Sequence, residues 1–452
     1  MTAGCPRSPI SNRIHSRPGK VAEARPEVFG KNPAVGDEGA DRAGTARVAT
    51  SLWSHHTSVS SDGLCIRVAS SRRDAAGIRD VLHSAWQVSE DEDYFYQTFN
   101  DPEAIYRAFI EPSLSCADLR SLDVLCLIGE QADGRIVATF SLILDHDCRT
   151  VELGRGAVAS DCQGQAVLCR FAAISRAILD QLDDYSVVAD VTTLARGATR
   201  FALICGSQPV ALHPSSFVIQ PSCVDSWLDR LRARHGDTAG ALLWRSERSR
   251  LGRFATAWHM TATTAGEPRE PAFRPHLCRH QRRFFEHTCD VLDLARDLAG
   301  EARDSAVEQP VSANPERVAD NSATWTRTII DPAPHSDPRR MVDSAARDGF
   351  ETVIVQVPCD RENQLLCRRL ARSGALLSGV FPMPSGHWYA SYTLLVGAEH
   401  REQVLDNLVE IAGNGSFDPA YHRLLDLMLA ANAEDRVESS ATIRLLGLDS
   451  AA

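Results

Sequence analysis

Residues 151–179 read VELGRGAVASDCQGQAVLCRFAAISRAIL, and the fold turns on this stretch. Val151, Leu153, Ala157 and Val158 give strand-like apolar content up to Ser160-Asp161, whereas Val167, Leu168, Phe171, Ala172, Ile174, Ile178 and Leu179 follow helical spacing. A short Gln/Gly turn, Gln163-Gly164-Gln165-Ala166, joins the two and is a helix entrance. The first N–H groups of a helix have no internal partner, and the positive end of its dipole lies there. Such a turn can receive an anionic phosphate, with Gly164 letting the backbone approach closely. The same pattern also serves as an ordinary connection between strand and helix.

Outward from this stretch the chain alternates. On the N-terminal side, Leu64 to Ala69 reads as a strand, and after Ser70-Ser71 the positions Ala75, Ile78, Val81, Leu82 and Trp86 recur at helical intervals. Asp91 to Phe109 is acidic and aromatic, with Tyr94, Phe95, Tyr96, Phe99 and Tyr106. Leu122 to Gly129 and Arg135 to Leu144 read as strands around the hairpin turn Ala132-Asp133-Gly134. On the C-terminal side follow a strand at Ser186 to Val191, a helix at Ala195 to Cys205 closed by Gly206, and a strand at Pro209 to Pro214. This order predicts an α/β (α+β) fold with a central sheet flanked by helices.

The strand-turn-helix stretch and its flanks resemble the GCN5-related N-acetyltransferase (GNAT) family. In that family a strand ends with an Ala-Val-like pair, runs through an Arg/Gln-x-x-Gly-x-Gly/Ala turn, and enters a helix whose amides hold the pyrophosphate of acetyl-CoA. Ala157-Val158 and Gln163-Gly164-Gln165-Ala166-Val167-Leu168 occupy those places, with Ala166 where glycine is usual and Leu168 where a small residue is usual. A shifted register, Asp161-x-x-Gly164-x-Ala166, restores the small residues but puts an acid first. The resemblance implies a mixed central sheet, acetyl-CoA or another acyl-CoA as co-substrate, and acyl transfer to the amine of a small molecule or protein. It implies that Gln163, Gly164, Gln165, Ala166 and Val167 bind the coenzyme, and that backbone amides near Ala157 and Val158 stabilise the oxyanion.

Acyl transfer to an amine needs a base, oxyanion donors and a proton source for the departing thiolate. Glu152, on the strand leading into the turn, is the candidate base, facing away from Leu153. The same carboxylate would serve equally as an exposed strand residue paired with Arg155. Related enzymes often carry a tyrosine four residues before the glycine that closes the later helix, and here Ala202 stands there before Gly206. The acid is then Tyr94, Tyr96 or Tyr106, or solvent, or the chain is a non-catalytic binder of acyl-CoA or of a protein partner.

The second half echoes the first. Tyr185 to Pro214 and Phe350 to Pro382 share a strand, a helix, a glycine and a strand ending at proline. With Trp388 to Leu395 as a closing strand, this predicts two related units: residues 62–220, and a degenerate second unit at 242–398 lacking the Gln163-Gly164-Gln165 turn, with a polar linker near 301–321. Residues 1–61, rich in Gly, Pro, Ala, Ser and Arg, read as a disordered tail, and residues 399–446 as C-terminal helices introduced by Asp418-Pro419. Net charge −11 over 452 residues argues against nucleic-acid and polybasic membrane surfaces, and an apolar fraction of 44% supplies real cores. Thirteen cysteines without a CxxC pair read as reduced thiols of a cytoplasmic protein. No metal is assigned: Asp145-His146-Asp147-Cys148 reads as a solvated turn, and Cys278, His280, His287 and Cys289 as residues of a helix.

Overall fold

The computed structural model describes residues 58–59, 63–88, 93–94, 96–114, 118–146, 149–163, 167–182, 184–194, 196–261, 277–294, 316–321, 324–382, 387–414 and 417–445. The tail at 1–57, Phe95, Asp147, Cys148, Gly164 to Ala166, His276 and most of the expected linker, 301–315, lie outside them. The chain divides into two units, Met1–Asp183 and Asp184–Ala452.

The first unit carries an antiparallel sheet in simple sequence order: β1 (Ser58–Val59), β2 (Cys65–Val68), β3 (Val124–Glu130), β4 (Ile136–Asp145) and β5 (Thr150–Val158). Between β2 and β3 runs α1 (Arg72–Trp86). Its start is fixed by a capping box, in which the Ser71 hydroxyl accepts from the Asp74 amide and Asp74 accepts from the Ser71 amide. Asp74 is buried, and Arg67 of β2 binds it with both terminal nitrogens, at 3.0 and 2.8 Å. That pairing makes the burial of a carboxylate tolerable and ties helix to sheet. Ala75, Ile78, Val81, Leu82 and Ala85 then form the buried face of α1. Further on come a short α2 (Pro102–Ile105), a π-helical turn at Tyr106–Ile110 and α3 (Glu111–Leu114). The tight hairpin between β3 and β4 uses Gly134 at φ 85°, a conformation open to glycine without strain. After β5, α4 (Val167–Leu179) buries Val167, Phe171, Ala172, Ile174, Ile178 and Leu179.

The second unit holds β6 (Ser186–Thr192), α5 (Arg196–Ile204), β7 (Gln208–Ile219), α6 (Pro221–His235), α7 (Ala239–Leu242), β8 (Trp244–Arg245), β9 (Gly252–Met260) and α8 (Arg279–Val291). It continues with β10 (Arg317–Asn321), β11 (Thr326–Ile330), α9 (Pro338–Arg347), β12 (Thr352–Pro358), α10 (Gln364–Arg372), β13 (Leu376–Pro382), β14 (Trp388–Leu395), α11 (Ala398–Asn414) and α12 (Pro419–Leu445). Its sheet runs β6-β9-β7-β13-β14-β12-β11-β10, with β8 on β9; β11 and β12 are parallel and the other pairs antiparallel, so the sheet is mixed.

A topological pattern recurs inside this sheet. β6, α5 and β7 are followed by β9, which inserts between β6 and β7; β12, α10 and β13 are followed by β14, which inserts between β12 and β13. The two groups meet where Gly379 of β13 pairs with Ala211 of β7. A Cβ on Gly379 would lie 2.4 Å from the Ala211 Cβ and 2.6 Å from the Val210 carbonyl, so only glycine fits this junction.

Several expectations change. Residues 317–321 form strand β10 against β11 rather than the end of a linker, because the neighbouring strand satisfies their backbone. β6 and β7, read as closing the first unit, fall in the second, with residues 252–260 hydrogen-bonded between them. β7 runs to Ile219, past the expected stop at Pro214, by breaking register between His213 and Phe217 with Ser215 at φ 60°. Asp418 does cap α12, accepting from the Ala420 amide at 3.0 Å.

Candidate functional site

The strand that ends at the Gln/Gly turn is not regular. Thr139 pairs with Ala157 and Ser141 with Gly154, so Phe140 of β4 faces both Arg155 and Gly156 of β5. This is a β-bulge, and Arg155 sits in it at φ 56°. A left-handed conformation costs a non-glycine residue about 1 to 3 kcal/mol, and strain of that kind concentrates at functional sites. Gly156 makes room for the close partner, since a Cβ there would lie 3.3 Å from the Phe140 ring. The signal in the sequence is Gly154-Arg155-Gly156, a charged residue between two glycines inside an apolar strand.

On the N-terminal side of the bulge Val151 and Leu153 are buried and Glu152 is half-buried, as the two-residue alternation requires. The bulge swings the Arg155 guanidinium back toward Glu152, Nη1 to Oε1 at 3.9 Å, with side-chain exposures of 20% and 29%. That is a Coulombic contact too long for a hydrogen bond. Arg155 Nε is buried and has no hydrogen-bond partner among the described residues.

The aromatic segment closes over this pair. The Arg155 guanidinium lies over the Tyr96 ring, 5.2 Å from its centroid. Tyr96 stands 5.9 Å from Tyr94 and 6.5 Å from Phe99, and Phe99 stacks on Phe109 at 5.0 Å. Burial pushes the Tyr94 phenol well above its ordinary pKa, with the neighbouring Tyr96 adding to the rise and Arg155 opposing it. Asn100 locks the segment, accepting from the Tyr94 amide at 2.6 Å and donating to its carbonyl at 2.8 Å. Tyr106 is elsewhere, beneath the Arg72 guanidinium at 4.3 Å. Of the three tyrosines singled out in the sequence, then, Tyr96 lies against Arg155, the neighbour of Glu152, Tyr94 packs beside Tyr96, and Tyr106 pairs with Arg72 instead.

At the helix entrance, Ala157 and Val158 end β5 as buried residues, Ser160–Cys162 makes a single 3₁₀ turn, and Gln163 is extended, its side chain donating to the Val158 carbonyl at 3.2 Å. Val167 opens α4, whose first turn has no acidic residue. Asp161 is the nearby carboxylate among the described residues, and Arg135 Nη2 binds it at 2.6 Å, holding it below the usual carboxylate range. That carboxylate is thus already paired beside the turn. Ala202 and Cys205 are both 1% exposed, and neither presents an acid.

The second unit has a comparable strand-to-helix joint between β11 and α9, and it is closed differently. Asp337 caps α9, accepting from the Arg339 amide at 3.0 Å, and Pro338 removes one N–H. The carboxylate already occupies the place an anion would take.

No family model matches the chain, and no curated protein matches it. Among solved structures it is similar to ribosomal-protein-S5-alanine acetyltransferase from Vibrio fischeri, at 10% identity and a TM-score of 0.30, covering 46% of this chain and 97% of that one. It is also similar to spermidine N-acetyltransferase from Vibrio cholerae in complex with CoA and spermine, at 14% identity and a TM-score of 0.27, covering 44% and 95%. Both are acetyltransferases.

Among the described residues no group of three or more His, Cys, Asp or Glu could hold a metal ion, and no helix is long and apolar enough to cross a membrane.

Proposed function

We propose that the first unit takes acetyl-CoA or another acyl-CoA at the 163–167 turn and supports transfer of the acyl group to an amine. The observation that carries this reading is the strained bulge on β5, which brings Glu152, Arg155 and Tyr96 together on the strand that leads into a helix entrance whose nearby carboxylate, Asp161, is held by Arg135. Gln163, Gly164, Gln165, Ala166 and Val167 would hold the pyrophosphate, and amides near Ala157 and Val158 the carbonyl oxygen as it gains charge. The thioester supplies an electrophilic carbonyl. Glu152, directly or through water, takes a proton from the acceptor amine as the C–N bond forms and the C–S bond breaks. Tyr96, which lies against Arg155, is our candidate to protonate the departing thiolate, ahead of the buried Tyr94.

We further read the second half as a degenerate repeat of the same fold. The recurring strand insertion supports this, and the Asp337 cap is the reason we assign it no coenzyme site. Ten described cysteines, all free thiols, fit a cytoplasmic setting.

A second reading, a non-catalytic acyl-CoA or protein binder, is favoured by Ala202, buried at the position where a tyrosine would supply the acid. Calorimetry of acyl-CoA binding, followed by mass spectrometry of products from an amine panel, separates the two. Gly164→Asp should abolish acyl-CoA binding while leaving the circular dichroism spectrum in place, because it sets a carboxylate beside the pyrophosphate. Undiminished binding by that variant would place the coenzyme elsewhere.

A further inference from the structure

The Glu152 and Arg155 pair is an odd arrangement if its purpose is to neutralise itself. Its 3.9 Å separation is too long for a hydrogen bond, and Arg155 Nε, though buried, has no hydrogen-bond partner among the described residues. What holds the guanidinium is the Tyr96 ring and the bulge backbone, at the strained φ of 56°. The two charges stand side by side, both partly exposed.

We propose that the acceptor is an amine carrying an adjacent carboxylate, with an α-amino acid as the type, and that Arg155 binds the carboxylate while Glu152 receives the amine. The inference rests on the acyl-transfer reading above.

The distances support it. In an α-amino acid the nitrogen and a carboxylate oxygen lie about 2.7 to 3.6 Å apart, from standard bond lengths and angles. An amine nitrogen about 2.9 Å from Glu152 Oε1 and a carboxylate oxygen about 2.8 Å from Arg155 Nη1 are ordinary hydrogen-bond lengths. With the 3.9 Å between Oε1 and Nη1 as the fourth side, the figure closes as a slightly splayed quadrilateral. The protein pair is thus the mirror in charge of a zwitterion. A polyamine would instead bring a second ammonium toward the guanidinium, and a lysine side chain or an alkylamine would leave Arg155 without a ligand. The Tyr96 and Tyr94 rings cover the same corner, which lowers the local dielectric and sharpens the discrimination.

Arg155 is here a specificity determinant, and its test is a ratio rather than a rate. With the full chain and saturating acetyl-CoA, kcat/KM is measured for the standard L-amino acids and for their carboxamides, corrected to the free-amine concentration, with spermidine and spermine alongside. The expected carboxylate-to-carboxamide preference is at least about 10-fold and up to about 100-fold, the range for losing a charged hydrogen-bond partner. Arg155→Gln should bring that ratio to within about threefold, and Arg155→Lys, which keeps the charge without the fork, should retain part of it. Carboxamides or polyamines acylated as well as the amino acids would overturn the proposal, and so would an Arg155→Gln that lowers both members of each pair equally.

Calorimetric titration of the same amino acids and carboxamides into the full chain in the presence of CoA gives a readout free of catalysis. If no amine is acylated but the carboxylate forms bind and lose affinity in Arg155→Gln, the transfer reading fails and the recognition stands. If amines are acylated with no carboxylate preference, the recognition fails and the transfer reading stands.

Discussion

Replacing Glu351 by glutamine should cost the second unit about 3 to 5 kcal/mol of stability. Arg253 of β9 and Glu351, just before β12, form a buried ion pair in that unit, with side-chain exposures of 0% and 3% and Nη1 3.2 Å from Oε2. Each is held by further partners. The guanidinium donates from Nε to the Ser215 hydroxyl at 2.7 Å and from Nη2 to the Thr324 carbonyl at 3.2 Å, and Ser246 donates to Glu351 Oε1 at 3.0 Å. Burial already pulls the Arg253 pKa down to about 10 against the opposing charge of Glu351, so this cation is expensive even when paired. At 3.2 Å and an effective dielectric near 20, the Coulomb attraction is about 5 kcal/mol. Glutamine keeps the shape but removes that charge, leaving Arg253 charged and buried without compensation. Urea denaturation of the full chain, followed by tryptophan fluorescence, measures the loss as a fall in midpoint at constant slope. The double variant Arg253→Met, Glu351→Leu removes both charges and should recover most of the loss, since replacing a buried pair by apolar residues is often near neutral. A Glu351→Gln loss below about 1 kcal/mol, or a double variant as unstable as the single one, would refute the reasoning.

Glu152→Gln should retain acyl-CoA affinity by calorimetry while acyl transfer falls roughly 10²- to 10⁴-fold, with the deficit shrinking as pH rises and the amine deprotonates unaided; a fully active variant would remove Glu152 from the mechanism. Gly379→Ala should destabilise the second unit by about 1 to 3 kcal/mol, because its Cβ meets the Val210 carbonyl at 2.6 Å, and a melting temperature equal to the parent's would show that the junction can relax. Stability should also fall on acidification. Burial holds His213, His259 and His400 neutral, each with its pKa lowered to about 4, Arg253 adding to the effect at His400. The unfolded chain binds protons at these histidines from about pH 6.5 and the folded chain only near pH 4, so the stability they confer is intact above about pH 6.5 and is lost as pH falls between those values. Urea midpoints flat from pH 7 to 5 would contradict that.

The local elements were legible along the chain: β2, α1, the β3–β4 hairpin, β5, α4, β6 and α5 all stand close to where periodicity, capping residues and turn chemistry put them. These are decisions of neighbours along the chain, such as Ser71 with Asp74 or Asp133-Gly134 at a hairpin, and a linear reading has access to them. It also found Glu152 on the partly exposed face of β5 and the tyrosine-rich segment that the fold carries to it. Tertiary structure decided the rest. The edge strand β10 reads as polar linker because its residues gain structure only from β11, and β9 shows its place only through hydrogen bonds to β6 and β7. The same holds for Arg155. Its charge was legible, but its placement over Tyr96 and beside Glu152 depends on a bulge set by how β4 registers against β5, and on a ring from a distant segment of the chain. Register and ring contact are pairings between distant parts of the chain, stabilised only once both are in place, and no pattern confined to one stretch encodes them.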